Sequence, residues 1–305
     1  MLTVNFPFLF FPTTIAFLDD DKEYLNALHN IFKTQFSTQT FSSVKNFCDY
    51  VDEEDLLFEK LLSVVIHDDI AHSKSDLTYS FFRDHPEKTN LLSVLIIDYD
   101  MPYMNGIDVC KKYQDKTFKK ILLTGQANED DAIRAFNEGL IDGYINKGDV
   151  DLSEKLLSLI KETQNKFFSD VSKYFYSDFS SEESEIFKMD SVKSAIQEFV
   201  YHNHITEYYY IKLANSFVLR DEKQNLWKLV FLTPYLVNGF TEIIREVNGP
   251  KELVDKIYEY EEFPMFPNID GFYEERFEEG WEEFLCKVQP LKTSKGQVYI
   301  CSNKN

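Results

Sequence analysis

The chain has 305 residues, with 32 Lys and Arg against 52 Asp and Glu, a formal net charge of −20. A hydrophobic content of 44%, with 28 Phe, 18 Tyr and 2 Trp, excludes general disorder and supplies apolar surface for two packed cores. The sign of the charge argues against a non-specific nucleic-acid coat and against adhesion to an anionic membrane.

The chain opens on MLTVNFPFLFF, which is apolar but lacks a basic n-region and a small-residue cleavage site. It is too short to span a bilayer and is interrupted by Pro7 and Pro12, so an ordered arm or extra edge strand is expected. Thr13–Leu18 reads as a buried strand ending in Asp19-Asp20-Asp21. The helix after it carries Leu25, Leu28, Phe32 and Phe36 on one face. Thr38–Phe41 is a second strand, followed by Ser42-Ser43, which suits a helix cap. Leu91–Ile97 is a third strand ending in Asp98, Lys120–Leu123 a fourth ending in Thr124, and Gly143–Ile145 a fifth ending in Asn146-Lys147. Helices fall around Ile107–Tyr113 and Glu129–Glu138, the latter closed by Gly139. Strands alternating with amphipathic helices predict an α/β fold: a doubly wound, five-stranded parallel sheet over residues 1–150.

The interval from about 50 to 90 exceeds one crossover, and Leu56, Leu57, Leu61, Val64 and Val65 predict an inserted helical subdomain. Residues 151–176 read as one connecting helix. Leu152, Leu156, Leu159, Ile160, Phe167, Val171 and Tyr174 lie near heptad spacing, which suits pairing with a second copy. Ser177–Glu185 is polar and Ser-rich and reads as a linker. Residues 177–305 predict a second, smaller α+β domain. It begins with a helix over Val192–Tyr201 and β-rich runs at Glu207–Lys212, Ser216–Arg220 and Leu226–Thr233, the last two joined by a hairpin loop. Helices at Tyr235–Val247, Lys251–Tyr260 and Gly271–Phe284 precede a final strand at Gln297–Cys301.

In an open parallel sheet, ligands sit beyond the carboxyl ends of the strands. Here those ends supply Asp19, Asp20, Asp98, Thr124 and Lys147. Clustered carboxylates repel one another unless neutralised, and a hard divalent cation such as Mg²⁺ does this with carboxylates, a carbonyl and waters. A nucleophile, a hydroxyl donor and a cation complete what a metal-bound phosphoryl group needs, and Asp98, Thr124 and Lys147 are those types.

The stretch Asp98-Tyr99-Asp100-Met101-Pro102-Tyr103-Met104-Asn105-Gly106 matches the D-x-x-M-P-x-M-x-G acceptor loop. With the acidic pair Asp19-Asp20, with Thr124-Gly125 and with Lys147, it makes residues Thr13 to Asp151 resemble the receiver domain of two-component response regulators, a CheY-like, flavodoxin-like fold. The resemblance implies Asp98 as phospho-acceptor and Mg²⁺ held by Asp19, Asp20, Asp98 and the backbone carbonyl of Asp100. It implies Thr124 and Lys147 on the phosphoryl oxygens and Tyr144 as an aromatic switch. It also implies a sensor histidine kinase or phosphotransfer protein as partner, a cytoplasmic location and a signalling protein rather than an enzyme. Gly148 stands where the family usually has Pro after the lysine, commonly at a cis bond, and this puts the rigidity of that loop in question.

The other signals are weaker. Cys48, Cys110, Cys286 and Cys301 form no Cys-x-x-Cys pair and read as reduced, mostly buried thiols. His67 and His72 match no metal-ligand spacing, and His202 and His204 read as helix-end polar groups. Lys111, Lys112, Lys116, Lys119 and Lys120 are the main basic concentration, suited to covering the acceptor sheet or meeting an acidic kinase. Tyr273, Phe277, Trp281 and Phe284 read as a core-facing aromatic stripe. Residues 177–305 show no helix-turn-helix and no catalytic set. Two readings remain for them: an interaction module in which phosphorylation switches dimerisation or partner binding, and a nucleic-acid binder that uses an unfamiliar surface.

Overall fold

The computed structural model describes residues 6–52, 85–125, 128–175, 181–211, 215–265, 280–293 and 296–304. The described residues divide into two units: those between Phe11 and Tyr174, and those up to Phe10 together with Phe175 onward.

The first unit is built on strands β2 (Thr14–Leu18), β3 (Ser37–Phe41), β4 (Leu92–Asp98), β5 (Lys119–Thr124) and β6 (Gly143–Asn146). All pairings are parallel, in the order β3-β2-β4-β5-β6. β2 and β4 are buried along their whole length, which fits their mainly apolar runs TIAFL and LSVLIID. Their side chains alternate between two cores. Ile15, Phe17, Val94 and Ile96 pack with Leu25, Leu28 and Phe32 of α1 (Lys22–Phe32) and with Leu156 and Ile160 of α4 (Leu152–Phe175). Ala16, Leu18, Leu95 and Ile97 face the other way. They meet Phe47 and Val51 of the helical residues 44–52, Val109 and Cys110 of α2 (Gly106–Lys112), and Ala132 and Ala135 of α3 (Glu129–Asn137). The expected doubly wound sheet is therefore present, with helices on both faces. The direction of winding reverses between β2 and β4, which is the crevice where such sheets bind ligands.

Most of the proposed insertion, including His67 and His72, lies outside the described residues. The long helix runs as read, but its apolar stripe is engaged: Leu156, Ile160, Phe167 and Val171 are all buried within this chain. That stripe is therefore no free coiled-coil seam.

The second unit is an antiparallel sheet in the order β1-β7-β8-β9-β13-β12, with a two-stranded ribbon, β10-β11. The strands are β1 (Leu9–Phe10), β7 (Ile205–Ile211), β8 (Ser216–Asp221), β9 (Leu226–Leu232), β10 (Glu262–Pro264), β11 (Leu285–Lys287), β12 (Gln289–Thr293) and β13 (Gly296–Lys304). The N-terminal arm is an edge strand of this sheet, with Leu9 opposite Tyr209. Helices α5 (Ser181–Lys188), α6 (Asp190–His202), α7 (Pro234–Glu246) and α8 (Lys251–Tyr258) complete the unit. Leu236, Phe240 and Ile244 of α7 and Leu253 and Ile257 of α8 share a core with Val230, Leu232 and Cys301.

Three readings change here. Of the Ser177–Glu185 stretch read as linker, residues 181–185 are helical, because the Glu residues that made the stretch look polar are also good helix formers. The helix expected through Phe284 does not extend over its described end. Gly280 is left-handed at φ 86°, Trp281–Phe284 is a 3₁₀ turn, and β11 follows. Trp281 is buried in the core all the same, while Tyr273 and Phe277 lie outside the described residues. The strands β10, β11 and β12 went unread because they are short, and Pro264 and Pro290 mask two of them.

Among the described residues, no helix is long and apolar enough to cross a membrane.

Candidate functional site

The site lies at the carboxyl edge of the parallel sheet. β2 delivers Asp19 and β4 delivers Asp98, both buried at 2% and 6% exposure. Carboxylate oxygens of Asp19, the exposed Asp20 and Asp98 all lie within 4.8 Å of one another. The third acid of the triplet does different work: Asp21 caps α1, accepting hydrogen bonds from the backbone N–H groups of Glu23 and Tyr24 at 2.8 and 3.1 Å. Asp19 in turn accepts from the Asp21 N–H at 2.8 Å, which fixes its carboxylate.

β6 brings Lys147 into this cluster. Its Nζ lies 2.8 Å from Asp19 Oδ2 and 2.8 Å from Asp98 Oδ1. Burial raises the pKa of Asp98, and the Asp19 charge adds to it. The Lys147 hydrogen bond and charge oppose this, and the net value stays above the ordinary carboxylate range. Burial alone would depress Lys147, but its bonds to Asp19 and Asp98 outweigh that and hold the ammonium above its usual pKa. One cation thus serves two buried anions, with a third carboxylate beside them. This excess of negative charge fits a hard divalent cation.

Asp100 is exposed, its carboxylate taken up by Asn128 Nδ2 at 2.8 Å. Thr124 is fully buried at the end of β5, its hydroxyl donating to the Gly125 carbonyl at 3.0 Å. Tyr144 is partly buried, edge-on to Phe136 at 6.1 Å between centroids. With Thr124, Glu129, Asn146 and Lys155 it lines a cleft of about 300 Å³. Asp19, Asp20, Asp98 and Lys147 therefore come together, Thr124 and Tyr144 adjoin each other, and the Asp100 side chain is engaged elsewhere.

The glycine that closes the Asp98–Gly106 stretch has a steric cause. A Cβ on Gly106 would lie 2.3 Å from the Asp98 carbonyl oxygen and 2.9 Å from Leu122 Cδ1. Only glycine lets α2 start this close to the end of β4. After Lys147 no cis bond takes the place of the missing proline, since among the described residues every peptide bond is trans. Instead the Gly148 N–H donates to Asn146 Oδ1 at 2.8 Å and closes the turn.

Tyr24 is a residue that the sequence reading missed. Lys147 Nζ sits 4.8 Å from the centre of its ring, and its hydroxyl is buried without a hydrogen-bond partner. Burial raises its pKa, Lys147 opposes, and Asp19 and Asp98 raise it further. The usable signal was its place in the first turn of a helix capped from the acidic triplet.

The basic concentration is largely engaged inside the unit. Lys119 pairs with Asp170, Lys120 is buried with its ammonium 5.1 Å from the Phe118 ring centre, and Lys112 reaches Cys48 Sγ at 3.0 Å. His202 Nδ1 bonds the Glu198 carbonyl at 2.8 Å, the helix-end role expected of it.

No protein-family model and no curated protein sequence matches the chain. Solved structures do. The response regulator LqsR of Legionella pneumophila is 22% identical, with a TM-score of 0.77 over 99% of this chain and 90% of that one. A response regulator receiver domain protein of Clostridium thermocellum is 20% identical over 50% of this chain and 95% of its own, with a TM-score of 0.33. DrrB of Thermotoga maritima is 20% identical over 50% of this chain and 52% of its own, also at 0.33. The likeness to LqsR shows the fold: a receiver-type parallel sheet together with a second, antiparallel-sheet domain.

Proposed function

We propose that this chain is a response regulator whose parallel-sheet unit accepts a phosphoryl group on Asp98 from a sensor histidine kinase or phosphotransfer protein. The observation that carries the reading is the Lys147 ammonium bridging the buried carboxylates of Asp19 and Asp98, at 2.8 Å on each side, in the crevice where the sheet reverses its winding.

Asp19, Asp20, Asp98 and the backbone carbonyl of Asp100 are the groups that would hold Mg²⁺, which when bound would relieve their repulsion and offset charge on the phosphoryl oxygens. A carboxylate oxygen of Asp98 attacks phosphorus, the phosphohistidine P–N bond breaks, and the electron pair leaves with the imidazole. Lys147 holds Asp98 in line beforehand and stays protonated, able to turn its ammonium onto a phosphoryl oxygen afterwards. The Thr124 hydroxyl gives up the Gly125 carbonyl for the same group. Tyr144 shares the cleft with Thr124 and moves with it, carrying the change toward α3 and α4.

The change would switch dimerisation or partner binding through residues 177–305. Because the α4 stripe is buried, a dimer would use another surface. Light scattering of the full chain before and after phosphorylation separates the two outputs, since only dimerisation doubles the mass.

The test of the acceptor is acid-labile labelling by acetyl phosphate with Mg²⁺. The wild type labels, EDTA abolishes the signal, and Asp98→Asn loses it. Normal labelling of Asp98→Asn would sink the proposal.

A further inference from the structure

We propose that Cys286 and Cys301 form an oxidant-sensitive dithiol in the antiparallel unit, which closes to a disulfide on reaction with a peroxide. The pairing of Gln289 with Ile300 sets the chain after β11 beside β13, and the ribbon turns away to pair Cys286 with Phe263. Where the ribbon leaves the sheet, the Cys301 thiol donates a hydrogen bond to the Cys286 carbonyl oxygen at 3.7 Å.

The two sulfurs differ in ways that suit them to different steps. Cys301 is 1% exposed on a central strand, whereas Cys286 is only half-buried, so an oxidant reaches Cys286 first. The neighbouring Cys301 thiol lowers the pKa of the Cys286 thiol, against burial and the nearby Glu262 carboxylate. The Cys286 side chain and burial raise Cys301. A partly exposed thiol favoured as thiolate, beside a sheltered second thiol, is the arrangement of an attacking and a resolving cysteine. The other cysteines lack this pairing. Cys110 is fully enclosed, with burial pushing its thiol up to about 12, and Cys48 bonds the Lys112 ammonium and not a second cysteine.

In the reaction, the Cys286 thiolate attacks one oxygen of hydrogen peroxide. The O–O bond breaks, and hydroxide leaves and takes a proton to become water. The Cys301 sulfur then attacks the sulfenic sulfur of Cys286. The S–O bond breaks, and the hydroxyl leaves as water with the Cys301 proton. Each sulfur gives up one electron, and the peroxide is reduced to two waters. The product staples the β10-β11 ribbon to the six-stranded sheet.

The site stands apart from the Asp98 reading and is tested on the full chain. The protein is treated with hydrogen peroxide, quenched with catalase, unfolded, alkylated and mapped by mass spectrometry. Two of the four thiols become unavailable, and a Cys286–Cys301 linked peptide appears that dithiothreitol reverses. In Cys301→Ser, dimedone traps a sulfenic acid on Cys286. If that variant fails to fold, the wild-type map alone decides. Oxidation of Cys286 to sulfinic acid with Cys301 still alkylated would overturn the proposal, as would oxidation of Cys48 ahead of Cys286 or a link between two copies.

Discussion

Each unit buries an aspartate to a similar depth, Asp98 at 6% exposure and Asp221 at 4%, and their pKa values move in opposite directions. Burial raises both. At Asp221, donors outweigh it: Asn225 Nδ2 at 2.8 Å, Trp227 Nε1 at 3.1 Å, and the backbone N–H groups of Asn225 and Lys223 at 2.9 Å hold the carboxyl at about 2. At Asp98 the main donor is a single ammonium shared with Asp19, so the carboxyl stays raised. A buried carboxylate surrounded by its own turn closes a hairpin, whereas one left short of donors is available to a ligand. Partner count, together with a better-solvated setting for Asp221, separates the hairpin-closing acid from Asp98.

Removing the shared cation is the largest perturbation. Lys147→Met should slow labelling of Asp98 by about 100-fold, the scale of losing one preorganised charged donor. Acetyl phosphate kinetics measure it, and an unchanged rate would mean that Lys147 only balances charge.

The next variant separates the units by their spectra. Both tryptophans, Trp227 and Trp281, belong to the antiparallel unit, so tryptophan fluorescence reports that unit and far-ultraviolet circular dichroism reports both. Gly106→Ala forces a Cβ against the Asp98 carbonyl and should cost about 1–3 kcal/mol of overpacking strain. In urea, the dichroism transition should move to lower denaturant while the tryptophan transition stays in place.

Asp221→Ala should do the reverse. It leaves the Trp227 indole N–H and the hairpin amides without their acceptor, lowers the tryptophan-reported midpoint and leaves labelling within about twofold of wild type. The pH dependence has a definite sign. A folded pKa of about 2 lies below the 3.8 of the free group, so the stabilisation is present above that value. It is lost as the pH falls toward 2, and the Ala variant should lack this acid-dependent part in a pH series of melts.

Of the two site variants, Tyr24→Leu should have the smaller effect, about fivefold slower labelling, because a cation–π contact is worth about 1 kcal/mol. Tyr24→Phe keeps the ring and should restore the rate. Equal losses in both would shift the role from the ring to the hydroxyl.

The same contrast explains what could be read in advance. Asp19, Asp98, Thr124 and Lys147 were legible because each ends a β-rich run, and a parallel sheet gathers strand ends along one edge. The reason for Gly106 was not, since the crowding atom belongs to a strand end eight residues back. Periodicity revealed the apolar face of α4 but not what covers Leu156 and Ile160, because a heptad-like stripe suits a sheet as well as a second helix. In the antiparallel unit, strands of three to five residues containing Pro264 and Pro290 carry too little pattern to register. Cys286 and Cys301 share no motif and meet only through the bend between β11 and β12.

The most direct test is to locate the phosphoryl group itself. Wild-type protein treated with acetyl phosphate and Mg²⁺ is reduced with borohydride, which converts an aspartyl phosphate to homoserine, and is then mapped by mass spectrometry. Homoserine at position 98 alone is the predicted result. Homoserine at Asp19, Asp20 or Asp100, or none on protein that carries acid-labile phosphate, would contradict it.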